Sequence, residues 1–228
     1  MLCRWWWPYD TSMRLDQRLW DPSRPDSLST RYRRRRWTRL AERFPDLDEM
    51  RVLDIGGTLN SWRLAPTRPK QLVLLNLSFE SYHEDDGVVT MVGDACDPPA
   101  ALSTERFDLI YLNSVMEHVG GHWRRERFAD TVHRFAEHHW IQTPYRYFPI
   151  EPHWLFPFFQ HLSVSAKAEV TARWHAGSYA HVGSVAEAIP HALQIELIDV
   201  TTMSHYFPRS TIVREKAAGL TKSLVAVR

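Results

Sequence analysis

At 228 residues, 44% of them hydrophobic and 24% charged, the chain suffices for one α/β domain with a modest appendage and is composed like an ordinary globular protein. Its 28 lysines and arginines nearly balance 27 aspartates and glutamates, so no whole-molecule field draws it to nucleic acid or an anionic membrane. No window approaches the roughly 20 apolar residues of a membrane span, and Cys3 and Cys96 form no metal-binding spacing, so a reduced, cytoplasmic setting is the simplest expectation.

Residues 1–28 are rich in Trp, Pro, Asp and Arg without a clean period, and read as a cap or lid ahead of a single domain over 29–228. Trp5, Trp6 and Trp7 cannot share one helix face, which points at least one of them to another surface, either an acceptor cleft or the second subunit of a homodimer. Ser29 reads as the N-cap of a helix to about Phe44, with Trp37, Leu40, Ala41 and Phe44 on one face and Pro45 stopping it. The run Arg33-Arg34-Arg35-Arg36 is then expected on the solvated side of that helix. Its sharper alternative is a patch for a phosphate-bearing or otherwise anionic acceptor. RNA binding would call for aromatic-basic interleaving that the run lacks.

The next segment, Val52-Leu53-Asp54-Ile55-Gly56-Gly57, is an apolar run ending in two glycines, as where a buried parallel strand enters a turn that must pass close to a ligand. Three further strand-like runs follow, Gln71–Asn76, Val88–Asp94 and Phe107–Asn113, at the spacing of an alternating α/β chain.

The order of these pieces resembles class I S-adenosylmethionine-dependent methyltransferases over about residues 50–143. Their four motifs match Val52–Gly57, Leu72–Leu77, Gly93-Asp94-Ala95 and Phe107–Asn113, and Ser114-Val115-Met116-Glu117-His118-Val119 extends the match. The resemblance implies a Rossmann-like α/β fold with a seven-stranded, mostly parallel sheet of order 3-2-1-4-5-7-6. It implies a cofactor half over 45–143 and an acceptor-facing half over 144–228. It also implies S-adenosyl-L-methionine as cofactor and S-adenosyl-L-homocysteine as product. By the same resemblance, the backbone at Gly56, Gly57 and Thr58 passes the methionine moiety, with Asp54 ordering the turn and Trp62 nearby. Asn76 and Leu77 meet the ribose side, Asp94 and the Ala95 amide meet the adenine, and Asn113 and Ser114 close the cofactor site. Two departures stand out. Thr58-Leu59-Asn60-Ser61-Trp62 replaces part of the usual glycine-rich turn, and Asn76 stands where the family carries an acidic ribose acceptor. A neutral amide acceptor contributes about 0.5–1.5 kcal/mol against roughly 1.5–3 for a charged one, so weaker cofactor binding is expected.

Further along, Glu126–Glu137 reads as a helix and His138–Gln142 as a fifth strand leading into Thr143-Pro144. The prolines of the following stretch, Pro144 to His153, forbid a regular helix and predict an extended aromatic loop, with Tyr145, Arg146 and Trp154 facing the acceptor. Its Phe148-Pro149-Ile150-Glu151-Pro152-His153 segment is similar to one in bacterial members encoded near polysaccharide and natural-product pathways, which implies a small-molecule or saccharide acceptor. A helix over Trp154–His161, a polar stretch with Trp174, His175, Gly177 and His181, a helix over Val185–Ala192, and two strands, Ile195–Thr202 and Leu220–Val227, complete the reading.

Methyl transfer to a hydroxyl requires in-line positioning and removal of a high-pKa proton, by a general base or by a metal that acidifies the hydroxyl. His118 and His153 are the leading bases, each with a structural alternative: His118 packing under the following helix, His153 fixed by Glu151. His122 is a third candidate. Glu117, His118 and His122 are candidate ligands for a divalent ion such as Mg, with His138-His139 or His153 approaching from strand ends, although neighbours 117 and 118 diverge by roughly 100° on a helix. Glu151 could instead pair with Arg146 and shape the loop. The expectation is therefore an O-methyltransferase. An N-, quinone- or RNA-methyltransferase, or a non-catalytic protein that kept the fold, is the alternative.

Overall fold

The computed structural model describes residues 28–79, 87–174 and 182–228. The proposed lid with its three tryptophans, and His175, Gly177 and His181, lie outside the described residues. The described residues divide into two compact units, one of Arg34–Tyr147 with Glu196–Arg228, the other within 148–195 together with residues 28–33. The expected acceptor-facing half is thus divided between them. Among the described residues, no helix is long and apolar enough to cross a membrane.

The larger unit is built on a seven-stranded sheet. Strands β1 (Arg51–Ile55), β2 (Gln71–Asn76), β3 (Val88–Val92), β4 (Phe107–Asn113) and β5 (Ala136–Pro144) pair in parallel, and β6 (Thr211–Ala217) and β7 (Leu220–Val227) close one edge antiparallel, giving the order 3-2-1-4-5-7-6. β1 and β2 are apolar on both faces because both faces are covered. Leu53, Ile55, Ile110 and Leu112 face one core with Phe128 and Val132 of helix α3 (His122–Phe135). Val52, Leu72, Leu74 and Leu109 face the other, with Trp37 and Leu40 of helix α1 (Leu28–Arg43) and Trp62 of the single turn α2 (Leu59–Trp62). Ser29, expected as the N-cap of α1, lies within that helix. Helix α3 starts four residues earlier than expected, directly after Gly121.

Two expectations at the C-terminus are corrected. Only Ile198 of the expected strand Ile195–Thr202 pairs, in a single bridge to Tyr145. Asp199 then accepts from the Thr202 backbone N–H at 2.8 Å and starts helix α6 (Val200–Tyr206), so a local cap overrides the β-branched Val200-Thr201-Thr202. The partner of β7 is β6, whose charged residues hide its strand character. The two join through Ala218-Gly219, both at positive φ, as a two-residue hairpin requires.

The smaller unit packs helix α4 (Val164–Arg173) beside α5 (Val185–Gln194), capped by Ser163 and Ser184. The expected helix Trp154–His161 is absent. Leu155 and Phe158 take positive φ, and the segment forms a two-residue ladder, Ile150–Glu151 with Phe156–Pro157, then a 3-10 turn over Phe159–His161. Trp154 is buried and stacks on Phe159 with ring centroids 4.1 Å apart.

Candidate functional site

In the larger unit, the carboxyl ends of four adjacent parallel strands bring together the residues expected to hold a cofactor. The Gly56 N–H donates to Leu75 O at 2.8 Å, and the Gly93 N–H to Asn76 O at 2.8 Å, so the turns after β1, β2 and β3 are hydrogen-bonded in one row. On the other side of β1, Ile55 lies opposite Leu112, placing Asn113 and Ser114 at the same sheet edge. Gly56 has φ +78°, and a Cβ there would meet Val115 at 2.3 Å. A Cβ on Gly57 would stand 1.7 Å from Asp54 Oδ2. The glycine pair is therefore demanded by the strand-end packing itself.

Asp54 is buried beneath this turn. Its Oδ2 accepts from the Trp62 indole N–H at 2.7 Å, while Oδ1 has no hydrogen-bond partner among the described residues. Burial raises its pKa to about 7, against the lowering effect of the indole. Trp62 has no exposed surface, with ring centroids 4.6 Å from Trp37 and 5.4 Å from Tyr111. Its expected contact with a cofactor is thus corrected: it acts on the turn through Asp54. Thr58 is extended and caps α2, its Oγ1 accepting from the Ser61 N–H at 3.3 Å. Asn76 donates from Nδ2 to Gly57 O at 2.8 Å, tying the end of β2 to the first turn, and Leu77 beside it is exposed.

Asp94 follows β3. Its Oδ1 accepts from the Cys96 N–H at 2.8 Å and its Oδ2 from Arg124 Nη2 at 2.6 Å. Burial would raise its pKa, but Arg124 and the Cys96 N–H outweigh that and hold the carboxyl below its ordinary value. Ala95 packs against the core. Asn113 Oδ1 accepts from Arg36 Nη1. Ser114, at φ +57°, donates from Oγ to Gln142 Oε1 at 3.0 Å.

Arg36 corrects the solvated reading of the arginine run. Arg34 and Arg35 are exposed, whereas Arg36 is buried, with Nε and Nη2 donating to the two oxygens of Glu215 at 3.2 and 2.7 Å. Burial lowers the Arg36 pKa, but Glu215 more than compensates and the net shift is upward.

Glu117 is buried and accepts from Thr143 Oγ1 at 2.9 Å, and His118 lies beside it with Nε2 4.0 Å from Glu117 Oε1. His122 does not join them. It turns to Tyr206, Glu126 and His205, so the expected trio Glu117, His118 and His122 is not assembled. His138 and His139 sit in the first half of β5, at the opposite end of the strand from Pro144, and His139 Nε2 is bonded to Ser210 Oγ at 2.7 Å. Tyr145 and Arg146 follow β5, with their N–H groups donating to Lys222 O and Ile198 O. A cavity of about 760 Å³ lined by Arg106, Asp108 and His138 lies at the amino ends of β4 and β5, the end of an α/β sheet that ligands avoid.

In the smaller unit, buried Glu151 accepts from the N–H groups of His153 and Trp154 at 2.7 and 2.9 Å and from His153 Nδ1 at 2.6 Å. The loop is thus wound around Glu151, which orients the imidazole. Trp154 has no face to offer an acceptor, which corrects that expectation.

No sequence family and no curated protein matches the chain. Among solved structures, it is similar to the N-methyltransferase NodS from Bradyrhizobium japonicum WM9, with TM-score 0.51 and 14% identity over 90% of this chain and 97% of that one. It is similar to magnesium protoporphyrin IX methyltransferase (ChlM) from Synechocystis PCC 6803 with bound S-adenosylhomocysteine, with TM-score 0.52 and 9% identity over 93% and 92%. A Rhodobacter sphaeroides protein provisionally described as a Zn-dependent alcohol dehydrogenase gives TM-score 0.56 and 10% identity over 85% and 87%. At these identities the likeness establishes the fold, which is that of class I methyltransferases.

Proposed function

We propose that the chain is an S-adenosylmethionine-dependent methyltransferase that transfers a methyl group to a hydroxyl of a small molecule or saccharide. The observation that carries this reading is the row formed by Gly56, Asn76 and Gly93 at the carboxyl ends of β1, β2 and β3, beside Asn113 at the end of β4. Ligands of open α/β sheets bind outside those ends. The Asp54 oxygen without a partner suits an amino group reached through water. In this reading Gly56, Gly57 and Thr58 pass the methionine moiety and Asn76 the ribose. Asp94 and Ala95 then hold the adenine, and Tyr145 and Arg146 line the acceptor side.

The cofactor supplies the methyl group and the leaving group, so the protein's own task is orientation and proton removal. The general base in this reading is His118 or, as the alternative, His153, whose Nδ1 lies 2.6 Å from Glu151 Oε1. Arg124 favours a second reading. By occupying Asp94 it competes with an adenine contact, as in a protein that kept the fold and lost transfer.

Calorimetry with S-adenosylmethionine and S-adenosylhomocysteine separates the readings. Binding of both, with His118→Ala or His153→Ala losing turnover but keeping cofactor affinity, supports methyl transfer. Absence of binding at about 1 mM ends the enzyme reading.

A further inference from the structure

Outside the candidate cofactor site, two histidines and a carboxylate from two helices come together. His122 and Glu126 stand one turn apart at the start of α3, with His122 Nε2 3.3 Å from Glu126 Oε1. From α6, His205 Nε2 lies 3.9 Å from the same oxygen, and one ligand atom from each of the three residues lies within 4.8 Å of the others. We propose that His122, Glu126 and His205 form a zinc site that joins the first turn of α3 to the end of α6.

The geometry is close to what the ion demands. Tetrahedral zinc with bonds of about 2.0–2.2 Å to nitrogen and oxygen holds neighbouring ligand atoms roughly 3.3–3.5 Å apart. The His122–Glu126 edge already has that length, the His205–Glu126 edge is 3.9 Å, and the three ligand atoms all lie within 4.8 Å of one another. Two imidazoles and one carboxylate suit zinc, whereas magnesium requires an all-oxygen shell. The three side chains are exposed, which leaves the fourth position to water.

A second observation points the same way. His122 Nδ1 lies 2.8 Å from the Tyr206 hydroxyl, next to His205 on α6. If Nδ1–H donates to that oxygen, the tautomer is set and the Nε2 lone pair faces Glu126 and His205. Such an outer-shell bond is how metal-binding histidines are oriented. A surface ion pair between protonated His122 and Glu126 explains one edge of the triangle. It accounts neither for His205 arriving from another helix nor for the Tyr206 contact. The site stands independently of the methyl-transfer reading.

Calorimetric titration of the full chain, stripped of metal, with zinc chloride tests the site. The expected result is one zinc per chain, with affinity at least about tenfold weaker in His205→Ala and Glu126→Gln. Zinc at about 100 µM should raise the unfolding temperature, and magnesium at the same concentration should not. The cobalt-loaded protein should show the absorption of a four-coordinate ion. All three residues are exposed, so the variants are expected to fold, which circular dichroism checks. An isotherm identical in wild type and both variants would assign the zinc to other histidines and overturn the proposal, as would the lack of any zinc-induced stabilisation.

Discussion

The indole N–H of Trp62 donates to Asp54 Oδ2 at 2.7 Å, and this single bond supports the glycine turn at the centre of the candidate site. Asp54 is the buried acid whose folded pKa, about 7, stands above the ordinary value of 3.8 because burial disfavours its charge. Below the unfolded pKa both states hold the proton and Asp54 costs nothing. As pH rises through the window from about 4 to about 7, the unfolded chain releases the proton first, so folding stability falls. Asp54→Asn removes the titration while keeping an acceptor for Trp62. Urea unfolding should therefore show the wild type losing up to about 4 kcal/mol relative to Asp54→Asn between pH 4 and pH 8. Parallel pH profiles for the two proteins would contradict the assignment.

Gly57 depends on the same carboxylate. A methyl group there would stand 1.7 Å from Asp54 Oδ2, and that oxygen cannot retreat without leaving Trp62. Gly57→Ala should cost about 2–3 kcal/mol in denaturant unfolding and alter Trp62 fluorescence, since both overpacking and a lost buried hydrogen bond contribute. Asp54→Ala in the same chain should recover part of the loss, a coupling that distant sites would not show.

Much of this was legible in the sequence because the first four strands are apolar runs ended by polar or glycine residues, a local signal. β2 and β4 match their expected bounds, and the strand order follows. What was hidden depends on partners far along the chain. Arg36 reads as solvated in the sequence because nothing near it announces Glu215, 179 residues away. β6 is hidden for the same reason, since within its Arg214-Glu215-Lys216 stretch only Glu215 is buried, and its partner there is Arg36. The Ala218-Gly219 dipeptide before a clear strand was the available clue to the hairpin. Asp199 with Thr202 was the clue to α6, outweighed by the β-branched residues between them. Trp62 follows the glycine turn closely, and the family resemblance implies a cofactor contact for it. It folds back beneath the turn, as period and spacing alone do not reveal.

Asn76 has a structural reason to be an amide. Its Nδ2 donates to Gly57 O at 2.8 Å, a bond that a carboxylate cannot make. Asn76→Asp, which restores the residue type expected at the ribose position, should therefore fail to tighten S-adenosylhomocysteine binding. It should also lower stability by about 1–2 kcal/mol, because two acceptors would face each other. Calorimetry with unfolding curves on the same samples checks both parts. A tighter complex would mean that the ribose contact outweighs the turn.

Arg36 links the helix before the sheet to the site's far edge. Its guanidinium donates twice to Glu215 and once to Asn113, and Ser223 Oγ adds a hydrogen bond to Glu215 at 2.5 Å. With both charges buried, removing one alone strands the other, so Arg36→Met or Glu215→Gln should each cost about 3–5 kcal/mol by guanidinium chloride unfolding. The double replacement Arg36→Met with Glu215→Met removes both charges and should cost clearly less than the sum. Arg36→Lys keeps a charge but loses the planar fork that serves Glu215 and Asn113 together, so it should fall between wild type and Arg36→Met. Additive single and double losses would show that the two side chains act separately, and Asn113 would then owe its position at the end of β4 to the strand alone.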